Sequence, residues 1–249
     1  MKKIAIISGA SDGIGREFAR VLAVKKEAEE LWLIARRAER MQALADELDI
    51  PCRIFSLDLS APGMEEAIRE ALAASGAQAA WLVASAGFGK IGEFADLPTD
   101  AVRDMITVNC TALTTLIHLA LPYMAEGGRV VTLASAAAFM PQPRFAVYAA
   151  TKAYVLSLSR ALGEELRPRG ISVTAVCPGP VQTGFFAVAE QTGKMKPAKE
   201  KMMTTPARVA RVAYRAAKRG KAVCTPTALM RAARVAAKIL PHKLLMKFF

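Results

Sequence analysis

Histidine, cysteine and, toward one end, acid are scarce in this chain. Its two histidines, His118 and His242, belong to no metal-ligand pattern; His118 lies among Leu116, Ile117 and Leu119 and reads as structural. The four cysteines, Cys52, Cys110, Cys177 and Cys224, are far apart with no C-x-x-C. That spacing argues against a disulfide framework or a zinc site and suits small buried side chains in a reducing cytoplasm; no metal is expected. No apolar run reaches the ~18 residues of a membrane-spanning helix. The opening Met1-Lys2-Lys3 leads at once into a short strand, too little for a secretory signal, so a cytoplasmic location is expected. Internal repeats and low-complexity segments are lacking too.

Acid is missing at one end only. Residues 194–249 hold fifteen Lys or Arg against the single acid Glu200, a balance of +14, whereas the rest of the chain carries 19 basic and 21 acidic residues, a balance of −2. The near-neutral body and the basic tail divide at about Lys194. We therefore expect a nucleotide-binding catalytic body over residues 1–193. Residues 194–249 are expected to be a lid and basic helical extension of the same domain. A chain of 249 residues, 53% apolar, is long enough for one α/β domain whose sheet is buried on both faces.

What is present begins with the Ile-rich run Lys3 to Ser8, which reads as a buried parallel strand. It leads into Gly9-Ala10-Ser11-Asp12-Gly13-Ile14-Gly15, after which Phe18, Val21 and Leu22 fall on one side of a helix and Arg16, Glu17 and Arg20 on the other. Strand, glycine turn and helix form a phosphate cradle: glycine admits a close backbone approach, and the helix start supplies free N–H groups and a positive dipole end.

Tyr148 and Lys152 are four residues apart, so on a helix they share a face. An ammonium there favours the phenolate and draws the tyrosine's pKa down from about 10. Such a tyrosine can give a proton to a carbonyl oxygen or take one from an alcohol. The spacing alone is common on helices; its weight comes from what precedes it.

Taken together, these features resemble the short-chain dehydrogenase/reductase family, from about Lys2 to Phe186. Gly9, Gly13 and Gly15 match its cofactor glycines, and Asp58, in Ser-Leu-Asp-Leu-Ser with Leu59, matches the residue that holds the adenine amino group. Ala84-Ser85-Ala86-Gly87 stands where the family has Asn-Asn-Ala-Gly. The missing asparagines imply a weaker brace between adjacent strands. Asn109 matches the family's structural and catalytic asparagine, and Ser135, thirteen residues before Tyr148, its catalytic serine. Pro178-Gly179-Pro180-Val181-Gln182-Thr183 matches the loop that holds the nicotinamide amide.

The resemblance implies a doubly wound, mostly parallel Rossmann sheet and a carbonyl–alcohol oxidoreductase. In it Ser135 binds the carbonyl, Tyr148 moves the proton, Lys152 favours the phenolate and binds the ribose, and Asn109 holds a water linking Lys152 to solvent. The cofactor turn includes Ser11, Asp12 and Ile14, and Ala86, Gly87, Val181 and Thr183 line the same nucleotide. Self-association through the helices Thr99 to Met124, with a bend at Pro122, and Tyr148 to Arg167 is implied as well. The second strand, Leu31 to Ala35, ends on Ala35 with Arg36 and Arg37 following, where an acid would bond the ribose hydroxyls. Arginine offers a bidentate fork to phosphate, so NADP(H) is expected, with Arg36 the principal contact. Asp12 either disfavours that phosphate or caps the helix that follows.

Phe185 to Met203, with Phe185, Phe186, Met195, Met202 and Met203, is expected to cover a hydrophobic substrate of oxoacyl, steroid or bile-acid type. Within Leu229 to Leu240, Arg231, Arg234 and Lys238 recur at helical spacing, and Pro241, Leu244, Leu245, Met246, Phe248 and Phe249 follow. That helix is expected to dock on its own body or on a partner subunit, or to lie on an anionic membrane surface. Nucleic acid is not an expected partner, since no base-reading module is present. The competing readings are a non-catalytic NADP-binding sensor or scaffold, and a membrane-surface binder acting through the tail.

Overall fold

The computed structural model describes residues 1–193 and 202–246. Among them, seven strands form one parallel sheet: β1 Lys3–Ser8, β2 Glu30–Ala35, β3 Cys52–Ser56, β4 Gln78–Ala84, β5 Met124–Leu133, β6 Ser172–Val176 and β7 Val223–Cys224, in the order β3-β2-β1-β4-β5-β6-β7. The order reverses between β1 and β4, the place where such sheets bind ligands beyond their strand ends.

Alternation along the strands sorts side chains to two cores. Ile4, Ile6, Trp32 and Ile34 face α3 Met64–Ser75, the apolar end of the Thr99–Tyr123 helix and α6 Ala146–Glu165. Ala5, Ile7, Leu31 and Leu33 face α1 Gly13–Val24, α2 Ala38–Asp46 and a helix over Pro206–Lys218. Full burial of such a side chain contributes about 1.5–3 kcal/mol, so either face alone justifies the Ile- and Leu-rich strands.

The helix from Thr99 to Tyr123 departs from expectation twice. Its irregularity is not at Pro122, which sits in a closing 3-10 turn, but over Thr107–Ala112, a π-helical segment between α4 Thr99–Ile106 and α5 Leu113–Ala120. It is also long and apolar enough, by length and composition, to cross a membrane, because from Ile106 onward only uncharged Thr, Asn and His interrupt the apolar residues. Leu113, Leu116, Ile117 and Ala120 are nonetheless buried in the core against the sheet.

Past the short α7 Phe185–Ala189, the C-terminal segment completes the domain. Helix α8, Pro206–Lys218, lies on α1 and buries Val209, Ala210 and Ala213. Thr205 caps it, accepting from Arg208 N at 3.3 Å. Glu27, just past α1, accepts from Trp81 Nε1 at 3.1 Å and Tyr214 Oη at 2.5 Å and pairs with Lys218 at 2.9 Å, which ties α8 to the sheet. The strand β7 follows, then α9 Ala228–Ile239 and α10 His242–Leu245. The expectations placed on Met195, Phe248 and Phe249 lie outside the described residues.

Candidate functional site

The candidate loop residues fall at the carboxyl ends of the strands, while Asn109, Tyr148 and Lys152 come from helices. Gly9 follows β1, Arg36 and Arg37 follow β2, Asp58 and Leu59 follow β3, Ala86 and Gly87 follow β4, Ser135 follows β5, and Pro178 to Thr183 follow β6. Gly9 and Gly13 have φ of +68° and +56°, conformations that favour glycine. A Cβ on Gly9 would lie 2.8 Å from Ala86 N, and one on Gly15 would strike the Gly9 carbonyl. A Cβ on Gly13 would meet Thr183 Cγ2 at 2.9 Å, so the glycine turn packs directly against the Pro-Gly loop. Bare backbone opposite the start of a twelve-residue helix fits a dinucleotide's phosphates.

Asp12 caps α1: its Oδ1 accepts from Gly13 N at 2.7 Å. Its Oδ2 lies 3.8 Å from Arg37 Nη2 and 3.9 Å from Arg40 Nη1. Arg37 also donates to Ser11 Oγ at 3.2 Å. Arg36 is 77% exposed, with Nη1 3.8 Å from Asp58 Oδ2. Asp58 itself is held by Ser60, whose hydroxyl and backbone N–H donate to it at 2.6 and 2.9 Å and lower its pKa. Arg40, in the first turn of α2, was not singled out from the sequence; it joins the other arginines through the Asp12 carboxylate that it shares with Arg37.

The brace between β1 and β4 survives the missing asparagines. Ser8 Oγ accepts from Ser85 N at 3.1 Å and Ala86 N at 3.3 Å. The serine at the end of the neighbouring strand thus carries what Ala84 cannot.

Tyr148 and Lys152 do share a face of α6, and both are buried. Lys152 Nζ donates to the Leu133 carbonyl at 2.7 Å and lies 5.6 Å from the Tyr148 ring centroid. The expected fall in the tyrosine's pKa is not found. Burial pushes the phenol up to about 12, with Ser135 pulling the other way, while burial pushes Lys152 down to about 8. Desolvation disfavours both charged forms and outweighs their proximity.

Asn109 sits in the π segment, fully buried. Its Oδ1 accepts from Phe88 N at 3.0 Å, and its Nδ2 donates to Phe88 O at 2.8 Å and Thr151 Oγ1 at 3.1 Å. These bonds tie its side chain to the segment after Gly87 and to α6. A Cβ on Gly87 would lie 2.8 Å from Asn109 Oδ1 and 3.2 Å from Lys152 Nζ. Ser135 starts a 3-10 turn and accepts from Ala137 N at 3.1 Å.

The lid residues reach the tyrosine. Phe145 stacks on the Tyr148 ring at 4.3 Å and Phe185 tilts against it at 5.3 Å, with Phe186 edge-on to Phe185. Phe186 and Met203 pack with Ile91 and Ala189, while Met202 is exposed. Phe145 precedes Tyr148 by three residues, a helical spacing that would have found it. Met230 of α9 presses on the Pro-Gly loop, its Sδ 2.8 Å from where a Gly179 Cβ would be; nothing local in the sequence signals that contact.

Residues 3–194 match the family model described as short chain dehydrogenase. The chain belongs to this family of oxidoreductases. An uncharacterized oxidoreductase of Staphylococcus epidermidis is 29% identical over 184 residues, 73% of this chain and 79% of that protein. The very-long-chain 3-oxoacyl-CoA reductase of Emericella nidulans is 31% identical over 181 residues, 69% of this chain and 52% of that protein. The human inactive hydroxysteroid dehydrogenase-like protein 1 is 35% identical over 193 residues, 74% of this chain and 57% of that protein. The chain thus spans little more than half the length of these last two. Among solved structures, a Sphingobium yanoikuyae short-chain dehydrogenase in complex with NADPH superposes with a TM-score of 0.81 at 28% identity, covering 100% of this chain and 96% of that one. A Burkholderia phymatum member in complex with NAD shares the fold, with a TM-score of 0.81 at 22% identity over 95% of this chain and 93% of that one.

Proposed function

We propose that the protein is an NADP(H)-dependent oxidoreductase that interconverts a carbonyl and a secondary alcohol on a hydrophobic substrate. The observation that carries this is the buried Tyr148–Lys152 pair, with the half-buried Ser135 beside it, next to the glycine cradle at the sheet's switch point. Gly9, Gly13 and Gly15 leave backbone space for the pyrophosphate, and Pro178 to Thr183 close the other side. When bound, a nicotinamide supplies or accepts the hydride, and the protein contributes position and electrostatics.

The chain's own residues handle the proton. Ser135 Oγ holds the substrate oxygen by a hydrogen bond. Tyr148, protonated because it is buried, donates its hydroxyl proton to that oxygen in reduction and recovers it in oxidation. Lys152, buried with its ammonium directed at the Leu133 carbonyl, provides the positive charge that steadies the phenolate left behind. Asn109 positions the strip Gly87–Phe88 beside Lys152.

NADP(H) is favoured because Arg36, Arg37 and Arg40 gather where the adenosine ribose would lie, with the Asp12 carboxylate committed to the helix cap. A hydrophobic substrate is favoured by Phe145, Phe185 and Phe186 around Tyr148. The relatives' 3-oxoacyl and hydroxysteroid names suggest which carbonyls to try first.

The test is NADPH consumption against 3-oxoacyl thioesters, oxo-steroids, oxo-bile acids and small aldehydes, with NADH in parallel. Turnover of a bulky apolar class with NADPH supports the reading. No turnover while NADPH still binds would overturn it in favour of a non-catalytic NADP-binding sensor.

A further inference from the structure

Helix α8, strand β7 and helix α9 enclose a cleft of about 500 Å³. Arg215 and Arg219 from the end of α8, Lys221 from the turn, and Arg231, Arg234 and Lys238 from α9 line it, with Val212, Val223 and Val235 between them. Residues 202–246 contain no Asp or Glu. Among the described residues, none of the six cations has a carboxylate within ion-pairing distance. Lys218, on the same last turn of α8, is by contrast matched to Glu27 at 2.9 Å. Six like charges around one concavity repel one another and concentrate positive potential there, which an anion of more than one charge relieves.

Helix α9 has three sides. Met230 and Ala237 are buried toward the body. Arg231, Arg234 and Lys238 turn into the cleft. Along the third side, Leu229 and Ile239 are 51% and 74% exposed, and the apolar surface continues through Leu240 and Leu244. A soluble phosphate would answer the charge and leave this strip in water. An anionic bilayer answers both, with a lipid phosphate among the cations and the strip in the acyl boundary.

We propose that the cleft and the adjoining face of α9 form a docking site for an anionic phospholipid surface. The inference stands apart from the reaction proposed above.

Sedimentation of the full chain with vesicles tests it. The protein should sediment with vesicles of equal parts phosphatidylcholine and phosphatidylglycerol, at least tenfold less with phosphatidylcholine alone, and less as salt is raised. Arg231→Gln and Lys238→Gln should each weaken binding about fivefold. Ile239→Asp should weaken it as well, at low salt. All three sites are exposed, so melting temperature and NADPH affinity should stay at the parent values. Equal sedimentation with both vesicle types, or with neither, overturns the proposal. A calorimetric titration with pyrophosphate supplies the second arm. Tight pyrophosphate binding together with vesicle binding indifferent to Ile239→Asp would identify a soluble phosphate as the occupant and overturn the lipid.

Discussion

Lys152 lies beneath Tyr148 with Nζ 5.6 Å from the ring centroid, yet its one hydrogen bond runs to the Leu133 carbonyl at 2.7 Å. In the proposed reaction the pair would therefore act through the field of a buried charge rather than by direct contact. Because burial pushes the phenol up to about 12, Tyr148 stays protonated throughout the neutral range, as the proposed proton donor must be. Tyr148→Phe removes the hydroxyl and keeps a ring that fits between Phe145 and Phe185. Turnover should fall about 10²–10⁴-fold, the usual size of a general acid's contribution. NADPH affinity, read by fluorescence, should be unchanged. Near-parental turnover in this variant would remove Tyr148 from the chemistry.

Lys152 links function to pH-dependent stability. Its folded pKa is pushed down to about 8 from a usual 10.5. Below pH 8 both folded and unfolded chains carry the proton, and the folded state bears the full cost of a buried ammonium. Between 8 and 10.5 the unfolded chain binds more protons, so this group's contribution to stability rises with pH. Lys152→Met should inactivate the enzyme. At pH 7 it should stabilise the fold by on the order of 1–2 kcal/mol, after allowing for the lost bond to Leu133. Denaturant unfolding at pH 7 and pH 10 checks this: the variant's advantage should shrink at the higher pH, and a constant difference would contradict the assignment.

Arg36 and Arg40 should set the cofactor preference. Arg36→Ala should lower the ratio of kcat/KM for NADPH over NADH by about tenfold or more, the cost of one charge-assisted phosphate contact. Arg40→Ala should act in the same direction more weakly, because Arg40 is shared with Asp12. A ratio unmoved by Arg36→Ala would shift the phosphate contact elsewhere.

Ser8→Ala would leave the Ser85 and Ala86 amides without their acceptor. The expected loss is about 1–3 kcal/mol, typical of unsatisfied buried donors. Since those amides precede Gly87, cofactor affinity should fall with stability. Thermal unfolding and NADPH titration together measure both.

Gly87→Ala places a methyl 2.8 Å from Asn109 Oδ1 and 3.2 Å from Lys152 Nζ. Asn109 is pinned by three bonds and cannot yield cheaply. We expect a loss of about 1–3 kcal/mol and reduced kcat, measured on the same preparation.

Much of this was legible in sequence because local signals coincide with the fold. The Ile-rich run before Gly9, the Gly9–Gly15 turn and the Tyr148–Lys152 spacing each lie within a few residues. What escaped depends on distant partners. Strand β7 is two residues long, too short for any periodicity, and exists because β6 offers an edge. The Ser8 brace joins residues seventy-seven apart. The direction of the tyrosine's pKa depends on Phe145, Phe185 and the sheet above α6, none of which a spacing between two residues conveys. The π segment Thr107–Ala112 keeps the same Thr, Val, Asn and Ala alphabet as an ordinary helix.

That π segment bears on how this helix tolerates deletions. Its wider turns hold more residues in the same rise than α-turns do, so it behaves as an insertion stored inside a helix. Removing one residue within 107–112 would let the stretch relax to α geometry with Thr99 and Tyr123 still in place. It would also rotate Asn109 away from Phe88. Such a deletion would give a folded protein with a dismantled site, whereas one in Leu113–Ala120 would turn the apolar side of the helix off the sheet.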